Sequence, residues 1–454
     1  MPMQRSFHAG SPNGALGRSL GRPLSRRGFL VAGGSTLLLA GCGSGQGAGS
    51  TPQSGSEFSG KYDGPKVTLD YWNGFTGGDG PTMQSMLKSF NGDQKNIVVK
   101  NNTMEWLDFY QRLPAASKAG RGPHVGVMHL DQLSTNAARN VIVPLDDVAE
   151  DLGLQEGDFT EAVWQPGMYQ DNRYGIPLDV HSLAMYYNTD HFEKAKISEP
   201  PTDKASLEEA IGKLQDAGFK QPFWMPGQWP AHLMFFSMLW QNGGEPYSED
   251  GSEATFGSDE GIAALTWMRE QVEKKVSPAN VDRDAQYLAF KNGKNSITWD
   301  GIWQINDLKA AGTNYGIAPI PVIGDEEAVW ANSHHFFMTA QAAEDDNLSS
   351  ASKVFIADLS EQSSEWAGAA MIPARNSARE EPAYKESPQA ELNSKLESFH
   401  FLPAVPGVAD TIQPTVEVAV NEVVLGKATP EESLKKWQSN ATELLKQNKE
   451  KYGG

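Results

Sequence analysis

The sequence predicts an α/β protein whose two domains share a crossing strand. Three observations point there. Residues 66–90 and 97–119 each read as strand, turn and helix, the repeating unit of an open α/β sheet. The stretch 175–190, GIPLDVHSLAMYYNTD, carries Asp179 and His181 two residues apart, hence on one strand face, and then turns almost wholly apolar. A strand polar at one end and buried at the other suits a chain that leaves a ligand cleft to enter a second core. Length agrees, since 454 residues allow about three domains, and 39% hydrophobic with 21% charged residues is an ordinary globular composition.

The first 41 residues stand apart from that body. They carry Arg5, Arg18, Arg22, Arg26 and Arg27 with no acidic residue, followed by an apolar run from Phe29 to Ala40. A run this short cannot span a bilayer, which takes about 20 residues, so residues 1–41 read as a signal peptide. Within it LSRRGFL, residues 24–30, resembles a twin-arginine export signal, and Leu39-Ala40-Gly41-Cys42 resembles a bacterial lipobox. Cys42 is the single cysteine, which excludes an intrachain disulfide and any cysteine metal site. Its place at the lipobox makes it the expected lipidation site, and two acyl chains suffice for a stable anchor where one is marginal. The mature chain is then expected outside the cell membrane, anchored to its outer face through a flexible linker, 42–60, rich in Gly and Ser. Without the five arginines, 33 basic residues face 57 acidic ones, a net charge of −24. Such a surface repels phosphate backbones and excludes nucleic acid as a partner.

The folded part begins at residue 61. Lys66–Trp72 alternates as a strand does, and the glycine-rich turn 73–80, NGFTGGDG, opens a helix at Pro81 with Asp79 or Gly80 as its cap. The loop has neither a dinucleotide fingerprint nor the Gly-Lys-Ser/Thr of a phosphate loop. A strand at 97–104 and a helix at 107–119, irregular at Pro114, lead to a buried strand, His124–Met128, ending in His129-Leu130-Asp131. Such strand ends border the ligand crevice of an open α/β sheet. Beyond the crossing, Ser206-Leu-Glu-Glu209 reads as a capping box, and Ser258 with Asp259 opens another helix. Between them, residues 222–244 are aromatic-rich. Trp240 lies in an apolar helical run and reads as core, whereas Trp229, between Gly227 and Pro230, reads as a cleft wall. Ser296–Trp299 is a strand and Asp300-Gly301 a turn, which leaves Trp303 open to ligand stacking or core packing. His334 and His335 are adjacent on a strand, face opposite ways and cannot share an ion, so neither a metal nor a cofactor is expected. Thr429-Pro-Glu-Glu432 is a further capping box, ahead of the C-terminal helix.

Several of these segments resemble the extracellular solute-binding proteins of sugar ABC importers, the maltose-binding family. Pro177-Leu178 with Tyr187-Asn188-Thr189-Asp190 is similar to its first hinge crossing, 315–321 (YGIAPIP) to its second and His334–Ala340 to its third. NVIVPLDD (140–147), Gly301-Ile302-Trp303 and VNEVVLGKATPEESL (420–434) resemble further family segments, so the likeness runs from about residue 65 to 447. It implies a two-lobed periplasmic-binding-protein-like fold of type II with three hinge crossings and C-terminal helices. Lobe 1 would comprise 61–182 and 318–338, and lobe 2 would comprise 183–317 and 339–454. It also implies a monomeric, non-enzymatic lipoprotein that captures a mono- or oligosaccharide by hinge closure and delivers it to membrane permease subunits. The resemblance carries ligand contacts to Asp79, Asp131 and Trp303, and the residues themselves add Trp72, His129, Asp179, His181, Trp229, Asp300, His334 and Arg375 as ligand-binding candidates. Carboxylates accept strong hydrogen bonds from hydroxyls, and aromatic rings cover the C–H faces of a sugar. Two rival readings remain: a binder of a glycerophosphodiester or other small solute, for which Arg375 is the attractive cation, and a glycoside hydrolase. The hydrolase would need two carboxyls about 5–9.5 Å apart, and the lipid tether and the lack of an acid/nucleophile motif speak against it.

Overall fold

The first sheet grows from Val67–Asn73, in which Leu69 and Tyr71 alternate into the core while Thr68 and Asp70 face outward. In the computed structural model, which describes residues 58–452, this strand pairs in parallel with Ile97–Thr103 on one side and Val125–His129 on the other. His334–Thr339 joins antiparallel to Val125–His129, and Ile142–Val143 and Ile176–Pro177 pair with it in turn. The signal peptide 1–41, Cys42 and nearly all of the 42–60 linker lie outside the described residues. The helix Gly80–Asp93 has Pro81 in its first turn and buries Met83, Met86, Leu87 and Phe90 against this sheet, as the spacing predicts. Trp106–Lys118 carries Pro114 within it.

The second sheet is built on Asp179–Asn188, of which every residue but Tyr187 is buried. Four segments pair along this spine. Ile372–Pro373 meets Val180 and Asp179, Val329–Asn332 meets Ser182 and His181, Ile297–Gly301 covers Leu183–Tyr187, and Tyr315–Ala318 covers Met185–Asn188. Ala231–Gln241 is buried along its whole length, which accounts for its all-round apolar sequence and places Trp240 in the core. Ser258 caps Asp259–Glu273 through the Gly261 amide, and Thr429 and Glu432 cap Pro430–Tyr452 reciprocally. Among the described residues no helix is long and apolar enough to cross a membrane.

The crossings differ from the expectation. The backbone of Tyr315–Ala318 is taken up by the spine, and Val329–Asn332 pairs there too, so the chain enters the first sheet at His334 and not at 315–321. It returns near Ile372–Pro373. Residues 339–371 therefore do not join the second lobe: Asp346–Glu361 packs on Val67–Asn73 and His334–Thr339, with the Phe355 ring against Tyr71 and Phe90. Two local readings also shift. The capping box of Lys204–Asp216 is Asp203 with Ser206, three residues upstream of the predicted one, because the Asp203 carboxylate reaches the Ser206 amide at 2.7 Å. Asp131 sits in the first turn of a helix, Leu130–Ala138, that follows its strand without a loop.

Candidate functional site

The three crossings meet at one residue: Asp179 of the first bonds through its carboxylate to His334 of the second and through its strand register to Pro373 of the third. Asp179, fully buried at the start of the spine, accepts the His334 backbone N–H on Oδ1 at 3.0 Å and the Trp366 indole N–H on Oδ2 at 2.7 Å. His181 Nδ1 lies 3.1 Å from Oδ1 and His334 Nδ1 2.8 Å from Oδ2, while the Ser333 hydroxyl donates to the Asp179 carbonyl. Pro373 is the spine's register partner at this position. Burial alone would raise the Asp179 carboxyl; the charges and hydrogen bonds of His334 and His181 outweigh it and hold the group well below the usual carboxylate range. When the imidazoles are neutral, an ionised Asp179 places their protons on Nδ1 and leaves both Nε2 atoms to face the cleft. Among the described residues those two Nε2 atoms are buried without a partner.

The cleft above this hub has a volume of about 1260 Å³. The first lobe contributes Asp79, Trp106, Tyr110, His129, Asp131 and His334, and the second His181, Trp229, Tyr287, Trp303 and Trp330. Trp106 stacks on Tyr110 and on His334, with centroids 5.8 and 5.3 Å apart and both pairs inclined by 16°. Trp303 stands edge-on to His181 at 5.8 Å and lies 6.2 Å from Trp229. Aromatic surface thus runs from one lobe to the other through the imidazoles. Two glycines make room for it: a Cβ at Gly74 would lie 2.1 Å from the Trp106 ring, and one at Gly301 would lie 2.1 Å from the Trp303 ring.

Asp79 occupies the cap position of Gly80–Asp93, yet its side chain makes no cap hydrogen bond. Its Oδ1 and that of Asp131 are buried without partners among the described residues. Burial pushes each carboxyl up to about 6, partly offset at Asp79 by the charge of His334 and at Asp131 first by a hydrogen bond from Asn332. The lobes touch beside the cleft as well: Asn306 donates to the carbonyls of Gly78 and Gly368 at 3.3 and 2.8 Å, the Gly407 amide donates to the Thr135 hydroxyl at 2.9 Å, and Arg139 pairs with Asp410 and with the Tyr452 hydroxyl.

Four expected ligand residues do not line the cleft. Trp72 packs edge-on to Phe109 within the first lobe. Asp179 lies behind its histidines. Asp300 is fully buried and accepts from the Gly301 amide, Gln304 and Gln286, and burial raises its carboxyl to about 7. Arg375 binds the carbonyl and hydroxyl of Ser360 and lies over the Phe159 ring, so the cation expected for a phosphodiester is not in the cleft, whose own cations among the described residues are Arg283 and Lys309. In each case neighbours within the fold satisfy the side chain. Asp79, His129, Asp131, His181, Trp229, Trp303 and His334 all reach the cleft. His335 faces the other way, toward Gly175, as strand alternation requires.

The family profile of bacterial extracellular solute-binding proteins matches residues 85–391. The chain belongs to that family. A binding protein of Brucella abortus is 23% identical over 388 residues, 81% of this chain and 90% of the relative. The maltodextrin-binding protein MdxE of Bacillus subtilis is 21% identical over 370 residues, 79% of this chain and 85% of its own. Among solved structures, the GacH receptor of Streptomyces glaucescens superposes with a TM-score of 0.75 at 20% identity, over 84% of this chain and 99% of that one. The fold of this solute-binding protein is accordingly the two-lobed type II architecture. Within its cleft the sequence reading missed Trp106, Tyr110, Trp330 and Asn332. Trp106 opens the helix that follows a first-sheet strand, so the strand-end rule that located Asp131 applies to it equally. Trp330 and Asn332 alternate on Val329–Asn332 and share the face that looks over His181.

Proposed function

We propose that this solute-binding protein captures a carbohydrate for an ABC importer, closing its lobes around the sugar and presenting it to a membrane permease. One observation carries the reading: indole and phenol rings from both lobes face a common cleft that also holds two buried carboxylate oxygens, of Asp79 and Asp131, lacking donors. Sugar hydroxyls are donors of the right kind, and the C–H face of a pyranose fits an indole. The names of several relatives, maltotriose-binding and maltodextrin-binding among them, support an oligosaccharide. The role is binding without catalysis. Export by the twin-arginine route, lipidation at Cys42, a linker at 42–60 and a monomeric state complete the proposal; one pneumococcal relative is named a solute-binding lipoprotein.

Lobe membership follows the sheets, with the chain passing from one to the other at Leu178–Asp179, at Ser333 and near Ile372. Calorimetry of the purified protein against glucose, maltose, maltotriose and longer maltodextrins, with tryptophan fluorescence in parallel, tests the reading. A sugar that binds with a fluorescence change and a raised melting temperature supports it. No heat, no fluorescence change and no thermal shift with any sugar of a broader oligosaccharide panel would remove carbohydrate from the proposal.

A further inference from the structure

We infer that the floor of the cleft binds a divalent transition-metal ion through the imidazoles of His129, His181 and His334. One nitrogen from each ring lies within 4.8 Å of the others. Three ligands at about 2.0–2.1 Å from a tetrahedral ion stand about 3.4 Å apart, so ring rotations and a small approach of the strands suffice. The convergence is a product of the fold. His129 and His334 are register partners on adjacent antiparallel strands and so project from one face, and His181 enters from the spine of the second sheet. His334 lies between the other two, 4.3 Å from His181 and 4.7 Å from His129 between ring centroids. The adjacent pair His334 and His335, from which a shared ion was excluded, is not involved: the three ligands come from three strands.

The tautomers suit a metal. Asp179 holds Nδ1 of both His181 and His334, the carboxylate–histidine arrangement that orients metal ligands and raises their basicity. Their Nε2 atoms are buried and without partners among the described residues. The Tyr110 hydroxyl lies 2.6 Å from His129 Nδ1 and also accepts the His129 backbone N–H at 3.0 Å. With its proton on Nδ1, His129 likewise offers an Nε2 lone pair. A sugar hydroxyl carries one proton and satisfies one such lone pair; a cation satisfies three at once. Three neutral imidazoles suit Zn²⁺, Co²⁺ or Ni²⁺, whereas Mg²⁺ and Ca²⁺ demand oxygen. The remaining coordination position opens into the cleft, where water or an oxygen of the captured ligand completes it.

The test uses the untagged protein, freed of metal by chelation, with no sugar present, so its outcome does not depend on the carbohydrate reading. Titration with Co²⁺ followed by visible absorption, and with Zn²⁺ by calorimetry, should show one ion per chain. His129→Asn and His181→Ala should each weaken binding at least tenfold, while His124→Ala, at a histidine outside the cleft, should leave it unchanged. Because buried substitutions can unfold the protein, long-range ¹H–¹⁵N spectra of the wild-type imidazoles provide a second readout. Zn²⁺ should move the Nε2 signals of His129, His181 and His334 and leave those of the other histidines in place. Failure to take up either ion, uptake unaltered by both cleft variants in folded protein, or unmoved signals from the three rings would each overturn the assignment.

Discussion

Replacing Asp300 by Asn should stabilise this protein at neutral pH, although the residue is fully buried. In the unfolded chain its carboxyl ionises near 3.8; in the fold burial raises it to about 7, outweighing the donors from Gly301, Gln304 and Gln286. Below the unfolded value both states are protonated and the group has no effect on stability. Between the two values the unfolded chain releases its proton while the folded chain retains it, so stability falls as pH rises, and it levels off above about 7. The full loss is roughly 4 kcal/mol, at about 1.4 kcal/mol per pH unit between the two values. Asparagine removes this titration and keeps an oxygen for the Gly301 and Gln304 donors. Its new amide would face Gln286, whose Oε1 is buried without a partner among the described residues, and a turn of the Gln286 amide joins the two. The assay is urea unfolding followed by tryptophan fluorescence from pH 4 to 8 for both proteins. The stability difference should swing toward the variant by a few kcal/mol between pH 4 and 7. Parallel curves for the two proteins would refute the reasoning.

The opposite outcome is expected at Asp179: each carboxylate oxygen faces two donors, so the amide of Asp179→Asn opposes two of them whichever way it turns. The cost should be roughly 3–5 kcal/mol, read as a lowered urea midpoint, and an unchanged midpoint would contradict the hub. Gly301→Ala sets a Cβ 2.1 Å from the Trp303 ring and should turn that ring away. Sugar affinity measured by calorimetry should fall about tenfold, or about 1.4 kcal/mol, with little change in stability; undiminished affinity would take Trp303 out of the site. Arg139→Ala removes the contact between the lobes at Asp410 and Tyr452, which keep their own hydrogen bond at 3.3 Å. Stability should change by no more than about 1 kcal/mol, while small-angle scattering without sugar should show a larger radius of gyration; identical profiles would show that this contact does not hold the lobes together.

The spine was legible because its pattern is extreme: a polar start at Asp179 and His181, then an apolar run buried on both faces. The cleft tryptophans at 229 and 303 were legible because turn residues place them at the ends of elements. Asp300 and Trp72 obey the same local rules, and only tertiary packing turns them inward, against Gln286 and Phe109 respectively. The second crossing was misplaced because 315–321 is a short apolar run that can pair in either sheet. What decides it is the free edge of Asp179–Asn188, a partner more than a hundred residues upstream. The three-histidine cluster was out of reach for the same reason, since its members stand far apart in sequence and meet only through strand register.

That register would let the proposed hinge be firm and mobile at once. The contacts of Asp179 with His181, His334 and Trp366 are buried and charge-assisted, so they resist exchange with water. Most contacts between the lobes outside the hub are of another kind: the Arg139 and Asp410 side chains remain 20% and 28% exposed and Asn306 reaches the Gly78 and Gly368 carbonyls, whereas the Gly407 amide meets the Thr135 hydroxyl in a buried bond. Water can replace the exposed ones at small cost. The proposed opening should therefore break the exposed contacts first and pivot about an intact Asp179. Any ligand on the Nε2 face of His181 or His334 polarises the Nδ1–H bonds to that carboxylate, so occupancy of the cleft would strengthen the pivot proposed for closure.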